Sequence, residues 1–385
     1  MKECIYCKRP KPVEDFTLEH VIPQCLGGAY APDKFKTRDV CGQCNNNLGL
    51  FVDASFEKNW FVSQFFREAA YALFDPAKPV GLPLTPMGSS DLMPPELQED
   101  DVCESWLGPL GEQVYWIRPK DARLYWYVGG NPRTTKKVET RAYFQFSERS
   151  TKNALLSWLT FRDAFEGRRV RKIMCTIVDG ADPADIGFAP PDRLDAARIE
   201  FFRTACSGEQ TRKNSLAIYT RYDVRFMAKL ALGVGYSLFG EKILSTDYTA
   251  ELQKALWHRE GEQLPDIQGT TDLAGHFDQL FKDVTGHQYA VTLLILPSKE
   301  GVAVNLNLGS KMNWIVKCAS LENLDAADIE PIKDGVVIIL YKYLQRGFTM
   351  TLPEFIAYKG GMIDHNDLAT INNHIGKHSE YFKNL

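Results

Sequence analysis

Two cysteine pairs constrain the start of this chain more than any other feature. Cys4-x-x-Cys7 opens it, and Cys41-x-x-Cys44 follows after 33 intervening residues. Two such knuckles match a tetrahedral Cys4 zinc site. A segment this short holds too few apolar residues for a sufficient core of its own, so metal binding is expected to supply its folding energy. Cys25 reads as a small buried residue, because the other four thiols already complete the ligand set. The chain has nine cysteines. Their paired spacing favours thiolate–metal chemistry in a reducing compartment over a disulfide framework. Met1-Lys2-Glu3 leads into the first pair without an apolar signal segment. The longest apolar runs, Leu230–Phe239 and Ala290–Pro297, are too short to span a bilayer. A cytoplasmic protein that does not enter the membrane is expected.

Between the knuckles lies Thr17-Leu18-Glu19-His20-Val21-Ile22-Pro23, then Leu26-Gly27-Gly28, and Asn45 follows the last cysteine. Hydrolysis of a phosphodiester needs a nucleophilic water, a base to deprotonate it and a cation to take the developing charge. Neighbours on a strand point to opposite faces. At a strand end or bulge, Glu19 can therefore face a metal while His20 faces a water. A zinc clip would fix the helix bearing Asn45 against that strand. Glu19 and Asn45 offer the oxygen ligands that a hard ion such as Mg2+ prefers. In this arrangement the zinc stays structural.

Over about the first 55 residues the chain resembles the HNH endonuclease family, with its ββα-metal fold, and in particular the branch flanked by CxxC pairs. The resemblance rests on Glu19-His20-Val21-Ile22-Pro23, Leu26-Gly27-Gly28 and Cys41-x-x-Cys44-Asn45. It implies that Glu19 is a metal ligand, that His20 is the general base and that Asn45 is the second metal ligand. It also implies DNA cleavage leaving 5′-phosphate and 3′-hydroxyl ends. The family's middle Asn, which pins the loop orienting the histidine, has no counterpart, since no Asn occurs between Cys25 and Cys41. Thr37 can supply that hydrogen bond.

Other residues near the motif keep two readings. Asp53 can ligate the metal or cap the helix expected at Ser55–Phe74. Lys34, Lys36 and Arg38 can form a solvated face or contact phosphates. Tyr115-Trp116 and Tyr125-Trp126-Tyr127 can stack bases or fill the core of a hairpin. His374-x-x-x-His378 can bind a metal or be a surface pair.

The 385 residues, 44% hydrophobic and 12% aromatic, can build more than one core. The net charge of −4 excludes a protein that coats DNA without sequence preference, because neutralising phosphates drives such binding. The fold class expected is α+β: a zinc-stabilised ββα-metal module over 1–54, a helix and Pro-rich linker over 55–111, and a larger mixed domain with mostly antiparallel sheet over 112–385. Strands are expected at Gln113–Arg118, Arg123–Val128, Thr140–Phe146, Val170–Val178, Gln288–Leu296, Val302–Leu308, Trp314–Ala319 and Gly335–Tyr343. Helices are expected at Thr151–Phe165, Tyr222–Phe239, Tyr248–His258 and Asp364–His378. Gly233 and Gly235 interrupt the second of these helices.

The function expected is a metal-dependent DNA endonuclease with structural zinc and a catalytic divalent ion such as Mg2+. The larger part would recognise a target, dimerise or regulate, as in restriction or anti-phage defence enzymes. One alternative is a zinc-ribbon module that binds nucleic acid without cutting it. Another is a nuclease licensed by a small-molecule signal.

Overall fold

The structure is a computed structural model. It describes residues 1–120, 129–177, 182–207, 211–216, 221–259, 261–271, 277–378 and 381–383. The chain divides into two compact units, Met1–Glu57 with Thr220–His374, and Lys58–Tyr219 with Ile375–Leu385. This grouping differs from the serial division at 54 and 111 expected from the sequence. The N-terminal module shares a core with residues far along the chain.

The first unit begins with a short antiparallel ladder, Lys2–Glu3 against Pro10–Lys11, around the first knuckle. Strand Phe16–His20 then pairs antiparallel with Lys36–Cys41, and helix Gly42–Leu48 follows directly. This ββα arrangement is the one expected. The same unit holds a six-stranded antiparallel sheet with helices around it. Its order is Gly269–Thr271, Met312–Ala319, Gly301–Leu308, Val291–Ser298, Val336–Tyr341, Arg346–Thr351. The ladder pairs Leu293 with Leu306 and Ile338, and Leu306 with Trp314, so these side chains share one face.

That face meets helix Arg221–Phe239. Phe226 stacks on Phe56 at 3.7 Å, and Trp314 meets Phe56 edge-on at 5.1 Å. The module does not rely on zinc alone, because Tyr6, Val21, Val52 and Phe56 are all fully buried. A three-element segment gains this apolar burial by packing on elements remote in sequence. The two glycines of the helix mark its closest approaches. A Cβ at Gly233 would stand 2.7 Å from Val21 Cγ1 and 3.0 Å from Tyr6 Oη, and one at Gly235 would run into the carbonyl of Cys318. The helix is thus clamped between the module and the sheet, and only glycine fits at these contacts.

The second unit holds another six-stranded sheet, ordered Asn214–Ser215, Thr85–Ser90, Asp101–Leu107, Gln113–Pro119, Thr140–Gln145, Val170–Met174. Only the last pair is parallel. Trp106, Trp116, Phe144 and Phe161 fill one face, and Tyr115, Tyr143, Ile173 and Phe202 fill the other. Tyr115 and Trp116 are therefore core residues and do not offer a stacking surface.

Several sequence expectations need correction. The stretch Asp75–Gly111 is not a linker, since two of its segments are strands within this sheet. Its prolines stand where a ladder tolerates them: Pro86 sits at a register shift, and Pro94 and Pro95 lie in the connection between the two strands. The helix expected over Ser55–Phe74 is two helices, Ala54–Glu57 and Trp60–Ala72. Asn59 caps the second by accepting from the Phe61 amide, so Asp53 is not its cap. Thr151–Phe165 likewise breaks at Asn153. Helix Arg193–Cys206 and strand Arg346–Thr351 were not anticipated. The strand expected at Arg123–Val128, the aromatics Tyr125-Trp126-Tyr127 and the His378 side chain lie outside the described residues. Among the described residues, no helix is long and apolar enough to cross a membrane.

Candidate metal centre and catalytic cleft

The four sulfurs of Cys4, Cys7, Cys41 and Cys44 lie within 4.8 Å of one another. Tetrahedral zinc with bonds of about 2.3 Å separates its sulfurs by about 3.8 Å, so the cluster is of the right size. The Cys41 amide donates to Cys4 Sγ at 3.4 Å. Hydrogen bonding with the Cys44 thiol holds Cys4 well below the ordinary thiol range, so Cys4 is the member of the set that carries thiolate most readily. This set suggests structural zinc. Cys25 belongs to a different place, the wall of the cleft described next.

A cleft of about 390 Å3 opens beside the cluster. Glu19, His20 and Asn45 all line it, together with Gln24, Asn46, Asp53 and Glu57. The three residues singled out by the sequence thus converge. The strand irregularity that separates their roles is present: the register shifts between Thr17 and Glu19. Just past it, Glu19 is buried at 3% exposure while His20 is half-buried.

His20 stands opposite Lys36 on the partner strand. Burial, and then the charges of Lys36 and Lys229, hold its imidazole below the ordinary value of 6.5, so it is neutral at neutral pH. Its Nδ1 lies 3.2 Å from Gln24 Nε2. If Nε2 of His20 is the basic nitrogen, Nδ1 carries the proton, and Gln24 turns its carboxamide oxygen toward it. That exchange of amide oxygen and nitrogen leaves the heavy atoms in place.

Asn45 plays a part that the sequence reading assigned elsewhere. Its Nδ2 donates to Thr17 Oγ1 at 3.0 Å and to the Leu18 carbonyl at 2.8 Å. It therefore pins helix Gly42–Leu48 to the strand bearing His20. A carbonyl only accepts, so the orientation of the amide is fixed and the carboxamide oxygen is the atom left for a cation. Thr37, expected to do the pinning, is turned instead toward Asp39, with Oγ1 to Oδ2 at 2.5 Å.

Lys229 was not anticipated. Its ammonium, from the middle of helix Arg221–Phe239, lies 2.9 Å from Glu19 Oε1 and 2.5 Å from Asp53 Oδ2. Tyr6 Oη adds a 3.5 Å contact to the same Glu19 oxygen. Burial opposes the Lys229 charge, but Asp53 and Glu19 outweigh it and keep the amine protonated. Burial also raises both carboxyls, and the shared ammonium pulls them back. Asp53 Oδ1 is buried without a hydrogen-bond partner among the described residues. The sequence did carry a signal for Lys229, a lone cation among the apolar residues Phe226-Met227-Ala228 and Leu230-Ala231-Leu232.

Of the basic run, Lys36 pairs with Asp33 at 2.8 Å and Lys34 lies over the Phe35 ring at 5.2 Å. Arg38 is exposed. None of the three lines the cleft.

The oxygen donors present fit a hard divalent ion. Glu19, the Asp53 oxygen that has no partner among the described residues and the Asn45 carboxamide all belong to residues of one cleft, and such ions bind through carboxylates and carbonyls.

No curated protein and no solved structure matches the chain. Residues 4–61 match a family model described as HNH endonuclease. The ββα hairpin, the four-cysteine cluster and the Glu19-His20 step on the cleft agree with that match, and this segment of the chain is an HNH endonuclease domain.

Proposed function

We propose that the protein is a metal-dependent endonuclease that hydrolyses DNA. The observation supporting this most is the convergence of Glu19, His20 and Asn45 on one open cleft beside the cysteine cluster. In this reading His20 takes a proton from water as the water oxygen attacks phosphorus, and the bond to the 3′ oxygen breaks. A divalent ion held by Glu19 and Asn45 would stabilise charge on the phosphate oxygens. Asn45 also keeps the His20 strand in register, and Gln24 sets the imidazole's orientation. Lys34, Lys36 and Arg38 would contact the flanking phosphates from beside the cleft.

One observation favours a second reading, nucleic-acid binding without cleavage. The Glu19 carboxylate is already engaged by Lys229. A plasmid-nicking assay with Mg2+ or Mn2+ separates the two. Wild type should nick, and His20→Ala should lose at least about a hundredfold in rate while keeping its zinc. Equal cutting by the variant refutes the assigned base. An inactive wild type supports the binding module.

A further inference from the structure

We infer that Lys229 is a positioning residue of the cleft: its ammonium holds Glu19 and Asp53 together and opposes a divalent cation at the same carboxylates, so that it sets how tightly the cation is held. The inference rests on the hydrolase reading above.

Three segments meet at this point. Glu19 comes from the hairpin, Asp53 from the π-helical segment Gly49–Asp53 that continues helix Gly42–Leu48, and Lys229 from a helix almost 180 residues further on. Lys229 is 1% exposed and does not line the cleft, whereas both its carboxylate partners do. It therefore reaches them from behind, opposite the side on which substrate would enter. Each carboxylate gives one oxygen to the ammonium, Glu19 Oε1 and Asp53 Oδ2. The other Asp53 oxygen has no described partner. The neighbouring Glu57 is neutralised separately by Lys342 at 2.9 Å.

The charge balance follows. Glu19 and Asp53 carry −2 together, and Lys229 reduces this to −1. Removing one member of a buried ionic set leaves the others uncompensated. Two buried carboxylates without their lysine should attract a divalent ion more strongly, because a positive charge only a few ångströms away would no longer oppose it. The lysine and the metal thus draw on the same pair of carboxylates, and the lysine sets how tightly the metal is held. The hairpin and its helix are then insufficient on their own, since the site is completed by a residue outside the family-matched segment 4–61.

The test uses the full-length, zinc-loaded protein and Mn2+ as the probe. Wild type, Lys229→Met and the double variant Lys229→Met/Asp53→Asn are compared by calorimetric titration and by thermal melting with and without Mn2+. Lys229→Met should melt lower than wild type without Mn2+, bind Mn2+ at least about tenfold more tightly, and gain a larger melting shift from it. The double variant again carries −1 and should return toward wild-type affinity. Equal Mn2+ affinity in wild type and Lys229→Met overturns the inference, as does an absence of Mn2+ binding in both. If Lys229→Met is insoluble without Mn2+, recovery on adding Mn2+ supports the inference. If it stays insoluble, the double variant decides: folded protein supports the charge argument, and insoluble protein refutes it. Nicking that is lost in His20→Ala leaves the hydrolase reading standing whatever the titrations show.

Discussion

Asn45 offers a direct test of how the cleft is built. Its two amide hydrogens tie the helix after the second knuckle to Thr17 and Leu18, just ahead of Glu19 and His20. Each such bond contributes about 0.5–1.5 kcal/mol, and water can replace part of it at this exposed position. Asn45→Ala should therefore weaken the local structure by about 1–2 kcal/mol. Hydrogen exchange measures this directly, because strand amides exchange through local opening. A loss of this size raises exchange across Phe16–His20 by about 5- to 30-fold. A loosened Leu18 also displaces His20, and a misplacement of about 1 Å can cost on the order of a hundredfold in rate. Asn45→Asp is the informative companion. It keeps an oxygen for a cation but presents an acceptor to the Leu18 carbonyl, so it should loosen the strand at least as much as Ala. Unchanged exchange in both variants would refute the pin. If Asn45→Asp then kept full nicking activity, Asn45 would be a metal ligand alone.

Three further outcomes follow from the site. His20 is held below 6.5 by burial, Lys36 and Lys229, so the base stays deprotonated to lower pH than a free imidazole. The acid limb of nicking should fall below pH 6.5, and Lys36→Gln should move it upward by removing one repelling charge; an acid limb above 6.5 in wild type would contradict this. The same depressed value means that His20 protonation favours the unfolded chain, so stability is lost as pH falls through 6.5. Stripping zinc with a strong chelator, or Cys41→Ser, should raise exchange over residues 1–11 and 36–48 while strands Val291–Ser298 and Gly301–Leu308 stay protected, because Phe56, Phe226 and Trp314 pack without the metal. Collapse of protection throughout the first unit would show that zinc holds the whole core.

The cysteine cluster and the convergence of Glu19, His20 and Asn45 on one cleft were legible in the sequence because their chemistry dictates spacing. Cysteines must come in pairs to grip zinc, and a carboxylate beside an imidazole splits naturally across a strand. The partners of these residues were not legible. Thr37 looked able to pin the histidine loop, but its hydroxyl is spent on Asp39 two residues away. Asn45 does the pinning because the helix carries its amide to the strand irregularity, which no local pattern announces. Asp53 was open between ligand and cap; Asn59 took the cap, and the carboxylate of Asp53 found Lys229 instead. The strands Thr85–Ser90 and Asp101–Leu107 were hidden by prolines that lie at a register shift or in the connection, where a ladder accepts them. The long helix was expected at Tyr222–Phe239, but its two glycines make sense only once Val21, Tyr6 and the Cys318 carbonyl press against it.

The discontinuous first unit has a consequence for synthesis on the ribosome. The zinc knuckles and the Glu19-His20 strand emerge early, but the helix that covers them and supplies Lys229 ends at Phe239, roughly 195 residues after Cys44. At about 5–20 residues per second, that is an interval of about 10–40 s. Throughout it, Tyr6, Val21 and Phe56 lack their packing partners and the two carboxylates lack their counter-charge. A nascent chain is therefore without a completed Glu19–Asp53–Lys229 cluster until most of its length has been made.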